Sequence, residues 1–268
     1  MRKLFIEILV FIALFFSLWF ALERIDWMTV FKIEKLTKST EEKLGDTFWE
    51  FFSKTETEIK STSVNRSLDS LVNQICKKNN IDRSTIKLHL LRKQDINAFT
   101  LPNRHIVVFS GLIESSENEA ELCGVLGHEM AHMEKNHVMK KLLKEVGLSV
   151  LVSMTSGKGS PEAAQQLAKL LSSSAYDRKL ESDADIASVD YMIKAEIDPS
   201  PFADFLYRLG DEEKNIPNQV YWISTHPESK ERAENIVNYI KGKKIIKKPI
   251  LAAGEWEKMK EKLREKED

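Results

Sequence analysis

The chain has 268 residues, 42% of them hydrophobic, enough for one catalytic domain with a sizeable core and additional segments. Forty Lys and Arg stand against 41 Asp and Glu, a formal net charge of -1, which argues against a nucleic-acid-binding protein with its strongly basic face. Two cysteines, Cys76 and Cys123, exclude a disulfide framework; each falls in an amphipathic helical stretch, so two buried thiols are expected.

Arg2 and Lys3 precede an apolar run from Leu4 to Leu22, broken only by Glu7. A run of this length, rising about 1.5 Å per residue, matches the roughly 30 Å hydrocarbon core of a bilayer. Residues 1–24 are therefore expected to form an uncleaved membrane anchor that crosses through residues 4–22. A cleaved signal peptide would need small residues before the cut, where the chain has Trp19-Phe20-Ala21. Basic residues flank the run on both sides, Arg2 and Lys3 before it and Arg24, Lys32, Lys35 and Lys38 after it, so charge alone leaves the orientation open.

Residues 25–63 carry apolar side chains at three- and four-residue intervals and read as an amphipathic helical linker, with Trp49, Phe51 and Phe52 expected to pack in a core. A helix is expected over about 64–78. Two β-like runs follow, "TIKLHLL" and "HIVVFS", separated by "INAFTLPNR" with a turn at Pro102-Asn103. The pattern then turns helical. "ENEAELCGVLGHEMAHMEKNHVMKKLLKEVG" reads as one long helix ending near Gly147, with lysines in its last turns. "GLSVLVSMT" is too short to span a bilayer, "TSGKGSP" reads as a flexible loop, and helices follow from Pro161 and over Asp177–Lys194. After a shorter helix come the loop "STHPES", a helix through "ERAENIVNYI" and a charged, mobile tail over 246–268. The expected class is mainly α with a small β-sheet (α+β), its main domain over 64–245.

His128-Glu129-Met130-Ala131-His132 fits the pattern H-E-x-x-H. Two histidines four apart on a helix differ by about 40° around its axis and aim at one spot. Glu129 sits about 100° from His128, beside that spot, where a base for a metal-activated water is needed. His137 lies about 180° from His128 on a straight helix, and "MEKNH" contains neither Gly nor Pro, so His137 is expected on the far face as a packing or hydrogen-bonding residue. A third ligand must come from elsewhere. "YDRKLESDADIASVDYM" offers Glu181 and Asp185, four apart on one helix face. Glu181 as ligand would give a His₂Glu set with an open position, the arrangement of catalytic zinc, and Asp185 one turn on could orient a ligand. Asp183 and Asp190 lie off that face and are expected in solvent, as is Glu134.

Four blocks in order carry a family resemblance: "INAFTLPNRHIVVFSGLI", "GVLGHEMAHMEKNH", "YDRKLESDAD" and "STHPESKER". Over Leu68 to Ile240 the chain resembles the zinc metallopeptidases of the HtpX and CAAX prenyl protease type, with their mitochondrial Oma-like and periplasmic BepA-like members. The resemblance implies a gluzincin-type domain with one Zn2+ held by His128, His132 and Glu181. It implies Glu129 as general base, and His226 either as stabiliser of the oxyanion or as a cap on the zinc in a resting form. Arg232 would pair with Asp185, and the strand Asn97-Ala98-Phe99 would be an exposed edge for an extended substrate backbone. The implied activity is that of a zinc endopeptidase acting on polypeptides in protein quality control; with the N-terminal run it would be a single-pass, membrane-anchored one, its catalytic domain expected on the extracytoplasmic (periplasmic) side. No nucleic acid is expected as a partner, and no motif speaks to oligomeric state. The alternative is a non-enzymatic, zinc-stabilised scaffold or chaperone-like module, which would have no need of Glu129. The chain departs from the family in two places. Leu101-Pro102-Asn103-Arg104 stands where Leu-Pro-Gly-Gly is frequent, and Ala195-Glu196-Ile197-Asp198-Pro199 lacks the family's glycine.

Overall fold

The N-terminal apolar run forms α1, Arg2–Glu23. The computed structural model describes residues 2–23, 33–158, 160–212 and 221–265, which group into two units, Met1–Glu41 and Glu42–Asp268. On α1 the apolar side chains described are exposed, among them Phe11, Leu14 and Trp19. Among the described residues no helix is long and apolar enough to cross a membrane. The side chains of Leu4, Phe5, Leu18, Ala21 and Leu22, all within the run, lie outside those described, as do residues 24–32 at the boundary between anchor and linker.

Helix α2, Ile33–Thr55, carries Leu44, Phe48 and Phe52 at four-residue spacing, all buried in the second unit. Phe52 packs on Phe99, and Trp49 stacks on His89 with ring centroids 3.4 Å apart. Residues 42–63, read from sequence as linker, are therefore part of the second unit. Helix α3, Thr62–Asn79, buries Val64, Leu68, Leu71, Val72 and Ile75 along one stripe and ends at Asn80 in the left-handed region.

The sheet has three strands, β1 Lys87–Leu91, β2 Ala98–Leu101 and β3 His105–Phe109, in the order β1-β3-β2. β3 runs parallel to β1 and antiparallel to β2, with Leu101 opposite His105. Asn103 and Arg104, at φ 57° and 60°, turn the β2–β3 hairpin through two successive left-handed residues, where the family's glycines would carry no strain. The sequence departure thus sits on the conformation that glycine serves.

After α4, Ser110–Ser115, helix α5 covers Glu119–Glu134. Asn118 caps it, accepting from the backbone N–H of Ala120 and Glu121, and Glu119 and Glu121 complement the dipole of the first turn. Every residue from Glu121 to Met133 is buried, so α5 is the central helix of the unit. The long helix expected from sequence is broken. Lys135 ends α5, Asn136 turns left-handed (φ 56°, ψ 30°), and α6, His137–Ser153, starts in a new direction. Asparagine is the non-glycine residue that tolerates this conformation best, so a break needs neither Gly nor Pro.

A π-helical turn, Met154–Lys158, stands where a loop was expected. Then come α7 Pro161–Ser173, α8 Arg178–Lys194, α9 Ser200–Glu212, α10 Tyr221–Thr225 and α11 Ser229–Ile240. Close packing on α5 depends on two glycines. A Cβ at Gly127 would lie 2.6 Å from Ser188 Oγ of α8, and one at Gly124 would lie 2.3 Å from Phe202 Cγ of α9. Ser188 Oγ also donates to the Gly124 carbonyl at 2.7 Å, fixing α8 against α5. The C-terminal segment is not a mobile tail. Helix α12, Glu255–Arg264, buries Met259 and Leu263 four residues apart, and Leu251 is buried ahead of it. Arg92 donates to the Leu263 carbonyl and Lys260 to that of Ser116, so three apolar anchors and a few polar bonds hold a segment whose composition is mostly charged.

Candidate metal centre

α5 presents His128 and His132 on the face covered by α8, and their Nε2 atoms are 2.9 Å apart. Glu181, in the first turn of α8, brings Oε2 to 3.5 Å from His128 Nε2 and Oε1 to 3.4 Å from His132 Nε2. His226, between α10 and α11, places Nδ1 3.2 Å from His128 Nε2 and 2.9 and 3.0 Å from the two Glu181 oxygens. All four side chains are buried, and one ligand atom from each lies within 4.8 Å of the others.

These donors fit zinc. Ligands at about 2.0–2.2 Å from a tetrahedral ion stand roughly 3.3–3.5 Å from one another, close to the separations between Glu181 and the two histidines. Three imidazole nitrogens and a carboxylate converging in a dry site are also the donor set that a shared dication satisfies and that solvent does not.

Asp185 lies behind His128. Its Oδ1 is 2.9 Å from His128 Nδ1, and Arg232 grips it through Nε to Oδ2 at 2.8 Å and Nη2 to Oδ1 at 2.7 Å. Arg232 Nη1 lies 3.0 Å from Glu181 Oε2 and donates to the His226 carbonyl at 3.1 Å. One guanidinium thus ties the α8 carboxylates to the His226 loop. Burial alone would raise the Glu181 carboxyl, but the imidazoles that face it and the Arg232 guanidinium hold it well below its ordinary value. Burial would likewise raise Asp185, which Arg232 keeps low.

Glu129 points to the other side of the cluster. Thr100 Oγ1, on β2, lies 2.9 Å from both Glu129 Oε2 and the Glu129 carbonyl, tying the carboxylate to the sheet. Glu129 Oε1 has no hydrogen bond among the described residues; His226 Nε2 is 3.4 Å away. Burial raises the Glu129 carboxyl to about 7, against the pull of His128 and Thr100. Burial also holds His132 well below 6.5 and His226 at about 4, so both imidazoles are neutral.

Sequence reasoning missed four neighbours of this site. Thr100 gave no signal, being one polar residue in a short strand. Trp222 stacks on His226 with centroids 4.0 Å apart, and Tyr176 stacks on His132 at 4.1 Å. His137 does not face away: the break at Asn136 turns it back, buried, with Nδ1 3.0 Å from His132 Nδ1. Asparagine before His137 was the available signal. Asp183 is exposed, as expected, and there pairs with Lys135 and approaches His137. Asp190 accepts from Tyr239, while Glu134 does face solvent, paired with Arg104.

Asn97, Ala98 and Phe99 are not an exposed edge. All three are buried: β2 packs under α7, Asn97 Nδ2 donates to the Ser172 carbonyl at 3.3 Å, and Phe99 sits between Phe52 and Phe109. The apolar stripe of α7 (Ala164, Leu167, Ala168, Leu171) needs cover, and the terminal strand supplies it.

Comparison with known proteins adds a common ancestry. Residues 62–240 match the pattern of Peptidase family M48. The chain is 29% identical over 158 residues to the mitochondrial metalloendopeptidase OMA1 of Schizosaccharomyces pombe, covering 58% of this chain and 46% of that protein. It is 31% identical over 165 residues to the metalloprotease LoiP of Escherichia coli (59% of this chain, 64% of that one). Over 200 residues it is 24% identical to a putative beta-barrel assembly-enhancing protease of Vibrio cholerae (70% and 41%). The matched regions thus span from under half to nearly two thirds of these relatives.

Proposed function

The chain belongs to Peptidase family M48, whose metalloproteases use zinc, and from that premise we propose that it is a zinc-dependent endopeptidase acting on polypeptides in protein quality control. The observation that supports this most is Glu129 Oε1, buried, without a hydrogen bond and 3.4 Å from His226 Nε2, while Nδ1 of the same ring stands beside His128 and Glu181. A scaffold would need the three ligands but not a fourth side chain aimed beside them.

His128, His132 and Glu181 hold the ion. Zinc, when bound, polarises the scissile carbonyl and acidifies the attacking water. Glu129 Oε1 takes the proton of that water and returns it to the leaving amine, and a carboxyl poised near neutrality suits both transfers. Thr100 keeps Oε2 occupied, so Oε1 is the oxygen left to act. Asp185 fixes the His128 ring so that Nε2 faces the ion, and Arg232 fixes Asp185.

A capping role for His226 is supported by its Nδ1, which stands 3.2 Å from His128 Nε2 and 2.9 Å from Glu181 Oε1. Movement of the Thr225–Glu228 segment would carry His226 away from Glu181 and leave its ring free to hydrogen-bond a developing oxyanion. Pairing of substrate with the Asn97–Phe99 strand likewise requires α7 to move off β2. Substitution of His226 by Ala separates the two roles in a peptide-cleavage assay: as a cap, its loss raises basal turnover, and as an oxyanion stabiliser only, its loss lowers turnover about 100-fold or more.

The N-terminal run supports the membrane part of the proposal. Residues 4–22 would anchor the chain, with the catalytic unit on the extracytoplasmic side. Extraction of membranes with alkaline carbonate tests the anchor: retention in the membrane pellet supports it, and release into the supernatant removes it.

A further inference from the structure

We propose that His137 is a positioning residue for the zinc ligand His132, the counterpart of Asp185 at His128. The inference rests on the reading that His128, His132 and Glu181 hold zinc.

Both α5 histidines offer Nε2 to the shared centre and turn Nδ1 away from it. A neutral imidazole that ligates through Nε2 carries its proton on Nδ1, and that N–H needs an acceptor, above all where both rings are buried. For His128 the acceptor is Asp185. For His132 it is His137 Nδ1, at 3.0 Å, and the two ring centroids are 5.1 Å apart. To accept there, His137 must carry its own proton on Nε2. That atom lies 3.5 Å from Asp183 Oδ2, whose other oxygen accepts from Lys135 Nζ at 2.7 Å. The chain Lys135–Asp183–His137–His132 therefore sets both tautomers from the surface inward.

The backbone is built for this contact. On an uninterrupted helix His137 would point away from His132, and the left-handed turn at Asn136 reverses it. His137 is then the first residue of α6, 1% exposed although it begins a helix, with polar partners on both ring nitrogens. The two ligands are held unequally: a carboxylate locked by arginine backs His128, whereas a neutral ring backs His132.

The test uses the full chain in detergent, with zinc affinity measured by competition with a chromophoric chelator and unfolding of the metal-free protein as a second readout. His137→Phe keeps a ring but offers no acceptor, and zinc affinity should fall about 10- to 100-fold. His137→Gln, whose side-chain oxygen can accept, should recover most of that loss. A merely structural histidine would lower metal-free stability in both variants and leave zinc affinity unchanged, which would overturn the proposal. Should His137→Phe fail to fold, His137→Ala removes the acceptor without added bulk, and affinity within twofold of wild type again overturns it. Failure of the underlying reading looks different: the wild-type chain would bind no stoichiometric zinc, or His132→Ala would bind it as well as wild type.

Discussion

Arg232 is the charge on which this site's geometry turns, and replacing it with methionine gives a quantitative test. Arg232 is 5% exposed, and its guanidinium satisfies Asp185 at 2.7 and 2.8 Å, Glu181 at 3.0 Å and the His226 carbonyl at 3.1 Å. Removing one partner of a buried ion pair costs about 3–5 kcal/mol, because the remaining charge stays buried without compensation. Leaving the His226 carbonyl without its donor adds about 1–3 kcal/mol, part of which relaxation of the loop recovers. Arg232→Met should therefore lower the unfolding free energy of the metal-free full chain by about 4 kcal/mol at pH 7, read from urea unfolding. The double variant Asp185→Leu/Arg232→Met, which removes both charges that face each other, should be less destabilised than Arg232→Met alone. A single variant within about 1 kcal/mol of wild type, or a double variant whose loss is the plain sum of the singles, would refute the reasoning.

Two further predictions concern the frame around the site. His105, buried on β3 among Lys87, His89 and Asp46, with Glu58 facing His89, is held by burial at about 4, below its ordinary 6.5. Its folded pKa lies below its unfolded one, so stability is complete above pH 6.5 and is lost as pH falls toward 4, by about 3 kcal/mol at most. Urea unfolding across this range should show a shallower decline for His105→Leu; an unchanged slope would exclude His105 as the cause. At the end of α8, Glu196 adopts φ 63°, a conformation that glycine takes without strain, and Glu196→Gly should raise stability by about 1 kcal/mol, less the small contribution of its exposed pair with Lys248. A fall in the midpoint of thermal unfolding would show that the Lys248 and Lys78 pairs outweigh the backbone strain.

Much of this centre could be read from sequence because its geometry is local. Helical spacing alone aims His128 and His132 at one point, and the same spacing pairs Glu181 with Asp185. What joined the two helices was resemblance rather than periodicity, since Gly127, which lets α8 approach α5, carries no signature in one sequence. The break at Asn136 had one signal, the asparagine itself, but asparagine tolerates both the helix and the left-handed turn, and tertiary packing decides between them. The cover of α7 over β2 and the docking of α12 likewise depend on which apolar stripes meet. Met259 and Leu263 are too few among charged residues to stand out, and nothing local marks β2 as the strand that α7 covers.

The central claim is that Glu129 is the base at a zinc centre of His128, His132 and Glu181. The most direct test is cleavage of an unfolded protein such as casein by the full chain in detergent, comparing wild type with Glu129→Gln at equal zinc content. The expected result is chelator-sensitive cleavage by wild type, reduced at least about 100-fold in the variant, which still binds about one zinc per chain. Cleavage by Glu129→Gln at the wild-type rate would contradict the account.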